Sequence, residues 1–187
     1  MRRILSKYLE NDMVPLKLVF VLECDDEEKS DAIYLNEVIS YFYEYKNDNY
    51  SQISRQNIFL EGKGKYKNIK SRIDNERKTF SCEGGEIKVI YMIDLDSTEP
   101  EYKLGSLNRN IMDYCDKNGY DLIWMCKNVE NVFLGVESDV VENKTEAAKA
   151  FARIKDKGFD IIKLSKTRIE QYCSNILLVL DKYLKRK

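Results

Sequence analysis

Ile87-Lys88-Val89-Ile90-Tyr91-Met92-Ile93, running straight into Asp94-Leu95-Asp96, is the stretch that decides the fold. It is short, rich in β-branched and aromatic residues, nearly all apolar, and then abruptly acidic. Such a run reads as a strand buried on both faces. Working outward, Leu16-Lys17-Leu18-Val19-Phe20-Val21-Leu22 follows Pro15 and ends at Glu23 in the same manner. Leu122-Ile123-Trp124-Met125-Cys126 gives a further strand, and Asn57-Ile58-Phe59-Leu60, closed by Glu61-Gly62, a shorter one.

The intervals carry the helical period. Tyr34, Leu35, Val38, Ile39, Phe42 and Tyr45 form one stripe, and Ile69, Ile73 and Phe80 a sparser one across a charged segment from Tyr66. Leu107, Ile111, Met112, Tyr114 and Cys115 form another, stopped near Asn118-Gly119. Beyond the last strand, the Ala-rich segment from Thr145 to Lys157 reads as helix. Ile169, Tyr172, Cys173, Ile176, Leu177, Leu180 and Leu184 read as one final helical stripe. Strand–helix alternation predicts an α/β fold, with a parallel sheet of about four strands flanked by helices. Right-handed crossovers then align every strand the same way. We expect a single domain over 1–187, with a core over 16–135 and a helical C-terminal extension over 136–187.

The chain of 187 residues balances 31 Lys and Arg against 32 Asp and Glu, which excludes a polycation but not a local basic patch. It has no histidine. That excludes Ser-His-Asp and Cys-His nucleophile pairs, His-ligated zinc and His general acid–base chemistry. Cys24, Cys82, Cys115, Cys126 and Cys173 contain no C-x-x-C pair and no zinc spacing, so they read as reduced thiols. No run reaches the roughly 18 apolar residues of a membrane span. The start, Met1 to Lys7, has no long apolar core of a signal peptide, so the expectation is a cytoplasmic protein with no membrane partner.

In open α/β sheets the carboxyl ends of the strands form the ligand edge. Three strand ends deliver acids there: Glu23, Asp94 with Asp96, and Glu130 just after the fourth strand. Asp94 and Asp96, two apart on extended chain, share a side. Mutually repelling carboxylates are relieved by a hard divalent cation, and Mg²⁺ suits a site of few carboxylates. The run Asp25 to Glu28 reads instead as helix-start electrostatics. The segment from Glu61 to Phe80 has the opposite sign, with seven Lys or Arg against three acids. Its Gly62-Lys63-Gly64-Lys65 is not a Walker A loop, yet Lys63 and Lys65 would suit a phosphodiester beside a metal. The basic end of the chain reads as a polar helix face with a frayed terminus. Asp94-Leu95-Asp96-Ser97-Thr98 matches the opening motif of haloacid-dehalogenase phosphatases, but those place it on their first strand. A response-regulator receiver would need a fifth strand ending in Lys.

Glu23 closing the first strand and Asp94-Leu95-Asp96 closing the third together resemble a Toprim domain. More narrowly, with Glu130-Asn131-Val132-Phe133 after the fourth strand, residues 16–135 resemble the stand-alone RloB-like and abortive-infection Toprim proteins of bacterial anti-phage defence. Two features depart from that pattern. Cys24 stands where Toprim domains usually have Gly, and Lys29-Ser30-Asp31 stands near the place of a Thr-Glu pair. The resemblance implies a nuclease using Mg²⁺ or Mn²⁺ on RNA, tRNA or DNA, serving as a toxic effector and working with a separate ATPase sensor protein. Asp94, Asp96 and Glu130 would hold the metal, Glu23 would act as general acid or base, and Lys63 and Lys65 would steady the phosphate. The alternative it implies is a Toprim-like module that binds a partner or nucleic acid without catalysis.

Overall fold

Strand β1 (Leu16–Glu23) lies between β2 (Ser51–Ile58) and β3 (Glu86–Asp94), and β4 (Asp121–Met125) follows β3, so the sheet order is β2-β1-β3-β4. This computed structural model describes residues 15–23, 30–45, 51–58, 65–82, 85–95, 106–135, 143–154, 156 and 158–187. Every neighbouring pair of strands is parallel, with Leu22 opposite Met92 and Asp94 opposite Met125. Parallel strands need crossover helices. These are α1 (Ser30–Phe42), α2 (Lys65–Cys82) and α3 (Ser106–Asn118), with α4 (Val129–Leu134), α5 (Lys144–Arg153), α6 (Ile161–Leu164) and α7 (Ile176–Leu180) beyond β4. Gly119, at φ 63°, takes the left-handed conformation that ends α3 and turns the chain into β4.

Alternation along the strands splits the core into two layers. Leu18, Phe20, Leu22, Ile90, Met92, Ile123 and Met125 pack with α1, α5 and α7. Val19, Val21, Val89, Tyr91, Ile93 and Trp124 pack with α2 and α3. Burial on both faces is why these runs are continuously apolar. Among the described residues no helix is long and apolar enough to cross a membrane. Cys115, Cys126 and Cys173 are buried free thiols, and burial pushes all three thiols above their ordinary range.

Three sequence expectations are corrected. The second strand is not Asn57 to Leu60 but Ser51–Ile58, with Phe59 and Leu60 outside the described residues. It is an edge strand with one neighbour, so Ser51, Gln52, Ser54, Arg55 and Gln56 are tolerated and the apolar signal is lost. The final stripe is not one helix. The chain from Lys166 to Asn175 runs beside β4, and only Ile176–Leu180 is helical there. Ile169 and Cys173 join one core layer, whereas Ile176, Leu177, Leu180 and Leu184 join the other.

The cause is the unpaired edge of β4. Cys126 N–H donates to Cys173 O at 2.9 Å, and Met125 bridges Ser174 in antiparallel sense. Asn175 then imitates a peptide group: Trp124 N–H donates to its Oδ1 at 2.9 Å, and its Nδ2 donates to Leu122 O at 2.9 Å. A strand edge is thereby closed without a fifth strand.

The basic end is not frayed either. Lys187 N–H donates to Phe42 O and Glu44 N–H to Lys185 O, both at 2.9 Å. The Arg186 guanidinium lies 5.2 Å from the Phe42 and Tyr43 rings and forks onto Asp181 through Nε and Nη2, at 2.6 and 2.9 Å.

Two outcomes follow from these contacts. Asn175→Ala leaves two backbone groups of β4 without partners. It should lower unfolding free energy by about 1–3 kcal/mol in a urea titration; an unchanged midpoint would mean water replaces the amide without loss. Arg186 holds the Asp181 carboxyl below its ordinary pKa, with a further contribution from the Tyr43 hydroxyl. A depressed carboxyl pKa adds stability that is complete above about pH 4 and is lost as pH falls further. Asp181→Asn should therefore flatten the acid limb of stability against pH while lowering the neutral plateau by at most about 1 kcal/mol.

Candidate carboxylate site at the sheet edge

The strand ends of the sheet converge where the order reverses, since β1 sends its crossover to one side and β3 lies on the other. Glu23 closes β1 one residue beyond the Leu22–Met92 pair, and Asp94 closes β3 two residues beyond it. The backbone therefore places these two expected residues at neighbouring strand ends. Asp94 is half-buried, and Leu95 N–H donates to Met125 O at 3.0 Å, holding the β3 exit against β4. Asp96 and Lys63 lie outside the described residues, and Lys65 opens α2.

Glu130 is reached by a forced turn. Lys127 takes φ 69°, a left-handed conformation uncommon for a residue with a side chain. Asn128 then caps α4, its Oδ1 accepting from Asn131 N–H at 2.9 Å, and Gly135 closes the helix in the left-handed region. Val132, Phe133 and Leu134 pack on the α1-side core layer. That packing fixes the turn so that Glu130, in the first turn of α4, is fully buried.

What surrounds this carboxylate is unusual. Neither oxygen has a hydrogen-bond partner among the described residues, and the Lys144 ammonium stands 3.8 Å from Oε2. The Tyr34 phenol is also fully buried with no hydrogen bond on its oxygen, and Thr145 Oγ1 is another buried hydroxyl of this kind. Tyr34 stacks on Phe133 at 5.2 Å and tilts against Phe151 at 5.1 Å, which pins its ring. Its hydroxyl pKa is raised first by burial and then by the charges of Glu130 and Asp31. Asp31, in the first turn of α1, is itself buried and accepts from Ser30 Oγ at 3.2 Å.

Magnitudes show why this matters. Burying a carboxylate costs several kcal/mol even after relaxation. A charge pair near 4 Å returns roughly 4 kcal/mol at an effective dielectric of 20, and less where one partner faces water. Lys144 is 43% exposed, so it does not fully offset the cost of Glu130. Carboxylate oxygens with open lone pairs are donors that a small divalent cation takes, but Glu130 with the Lys144 ammonium beside it supplies only one such group. Among the described residues no three of His, Cys, Asp or Glu come together closely enough to hold a metal; the Glu23 carboxylate and Asp96 are not among those described.

Asp31, Tyr34 and Lys144 are site neighbours that the sequence reading did not select. Asp31 was visible only as the residue standing near the missing Thr-Glu pair. Tyr34 was indistinguishable from a core position of its stripe, and nothing marks Lys144 within its Ala-rich helix. No family model matches the chain, and no curated protein or solved structure matches it either.

Because Glu130 accepts no hydrogen bond from the described residues, Glu130→Gln should leave metal-free stability unchanged or raised. Lys144→Ala should lower it by about 1–2 kcal/mol, and the double substitution should recover most of that loss. Denaturant titrations in chelator read all three; a Glu130→Gln loss above about 1 kcal/mol would make the carboxylate a structural group.

Proposed function

We propose that the protein is a Toprim-like, Mg²⁺-dependent nuclease of the RloB-like kind, acting on RNA or DNA as a toxic effector of anti-phage defence. The observation that supports this reading is the fully buried Glu130 carboxylate, without a hydrogen bond among the described residues, in the helix that follows β4. Asp94, Asp96 and Glu130 would hold the cation, which when bound neutralises phosphate charge and acidifies a water. Glu23, at the end of β1, takes the part of general acid or base. Lys63 and Lys65 would supply positive charge to the substrate phosphate. Lys144 would balance Glu130 in the absence of the cation, and the Tyr34 phenol, kept neutral by burial and by the charges of Glu130 and Asp31, lines the same pocket of the core.

Calorimetric titration with Mn²⁺ is the first test. The wild type should bind saturably, Asp94→Asn with Asp96→Asn should abolish binding, and Glu130→Gln should weaken it about tenfold, one ligand being worth roughly 1.4 kcal/mol or more. Cleavage of single-stranded RNA, tRNA and duplex DNA should require the same residues. Toxicity on expression in bacteria should vanish in the double aspartate variant. Saturable nucleic-acid binding with no cleavage in Mg²⁺ or Mn²⁺ would replace the nuclease by a non-catalytic binding module.

A further inference from the structure

A second concavity lies away from the carboxylate site, on the outer flank of β4. It has a volume of about 580 Å³ and is bounded by α3, β4 and the segment that closes the β4 edge. Cavities of roughly 300–1,000 Å³ take small molecules. Three kinds of group line it. Met112, Trp124 and Ile169 form an apolar and aromatic wall, with Trp124 only 7% exposed. Asp116 and Arg168, both exposed, bring one carboxylate and one guanidinium to the lining from opposite elements, α3 and the C-terminal segment. Cys115 also lines it, but burial pushes its thiol up to about 12, so it is an inert wall and not a nucleophile.

The wall, the carboxylate and the guanidinium ask for different parts of one ligand. An apolar compound would leave both charges unused, and an inorganic anion would leave the wall unused and meet Asp116. A planar ring packs on Trp124 and on the Met112 thioether. A carboxylate accepts from vicinal hydroxyls, as acidic residues do with ribose. A guanidinium takes a phosphate. We propose that this cavity binds a ribonucleotide, with its base against Trp124, its ribose hydroxyls on Asp116 and its phosphate on Arg168.

The proposal stands independently of the nuclease reading. The ligand is either a free mononucleotide or the end of an RNA strand, which share this chemistry.

Trp124 is the single tryptophan of the chain, so its emission reports this cavity and no other place. In the native protein, titration with AMP and UMP should quench that emission saturably below about 1 mM, a modest affinity for a ligand of this size. Deoxy-AMP should bind at least about fivefold more weakly, one lost hydrogen bond being worth about 1 kcal/mol. Arg168→Ala should weaken AMP binding about tenfold, and Asp116→Asn should narrow the preference for ribose. Both residues are exposed, so both variants should keep the wild-type unfolding midpoint.

A hexamer of riboadenylate that binds more tightly than AMP identifies a strand end; equal affinity identifies the free nucleotide. Asp94→Asn should retain the quench, which separates this site from failure of the carboxylate site. Absence of saturable binding to 5 mM AMP and UMP, by emission and by equilibrium dialysis, overturns the proposal. So does phosphate alone binding as well as AMP.

Discussion

A parallel pair of strands cannot be joined by a hairpin, and the pairing of β1 with β3 imposes most of what else is found in this molecule. Each connection must cross the sheet, so each brings a helix onto one of its faces. Two covered faces require β1 and β3 to be apolar at nearly every position, as they are from Leu18 to Leu22 and from Val89 to Ile93. The same constraint leaves all carboxyl ends on one edge, where apolar runs must stop. Glu23 and Asp94 close their strands for that reason, whatever further work they do there.

The edge of β4 is the second constraint, and it explains the C-terminal quarter. A strand with one neighbour exposes a row of donors and acceptors, and here Cys173, Ser174 and the Asn175 amide meet them. To do so the chain crosses from one face of the sheet to the other, so its apolar residues feed both core layers. A side-chain amide does what a strand backbone would do, but over only two groups. The chain is then free to turn into α7 and to dock its end on Phe42 and Glu44.

This division marks what the sequence could tell. β1, β3 and β4 were legible because burial on both faces writes an unbroken apolar run, and α1 and α3 because one buried face writes a stripe. β2 was misplaced because an edge strand need not be apolar. The final stripe was misread because helical spacing also arises when a chain with alternating obligations wraps an edge: Cys173 and Ile176 are three apart yet serve opposite faces. At the candidate site, Glu130 was legible only as an acid just after the fourth strand, and the structure shows it buried. The partners of Glu130 were not legible, because Lys144 comes from a helix begun fourteen residues later, and only tertiary packing of α5 on α1 brings it back.

The tension at Glu130 is best understood against its surroundings. Phe133, Phe151 and Tyr34 pack on one another with ring centroids 5.1–5.9 Å apart, and the Tyr34 hydroxyl feels the Glu130 charge. Among the described residues the cation nearest Glu130, Lys144, stands at 3.8 Å, beyond hydrogen-bond reach. A structural ion pair under selection for stability alone would close that gap, or an apolar side chain would replace the acid, since either change lowers the free energy of the folded state. Among the described residues the fold thus leaves Glu130 in tension, buried by the turn that carries it and matched by a single half-buried ammonium.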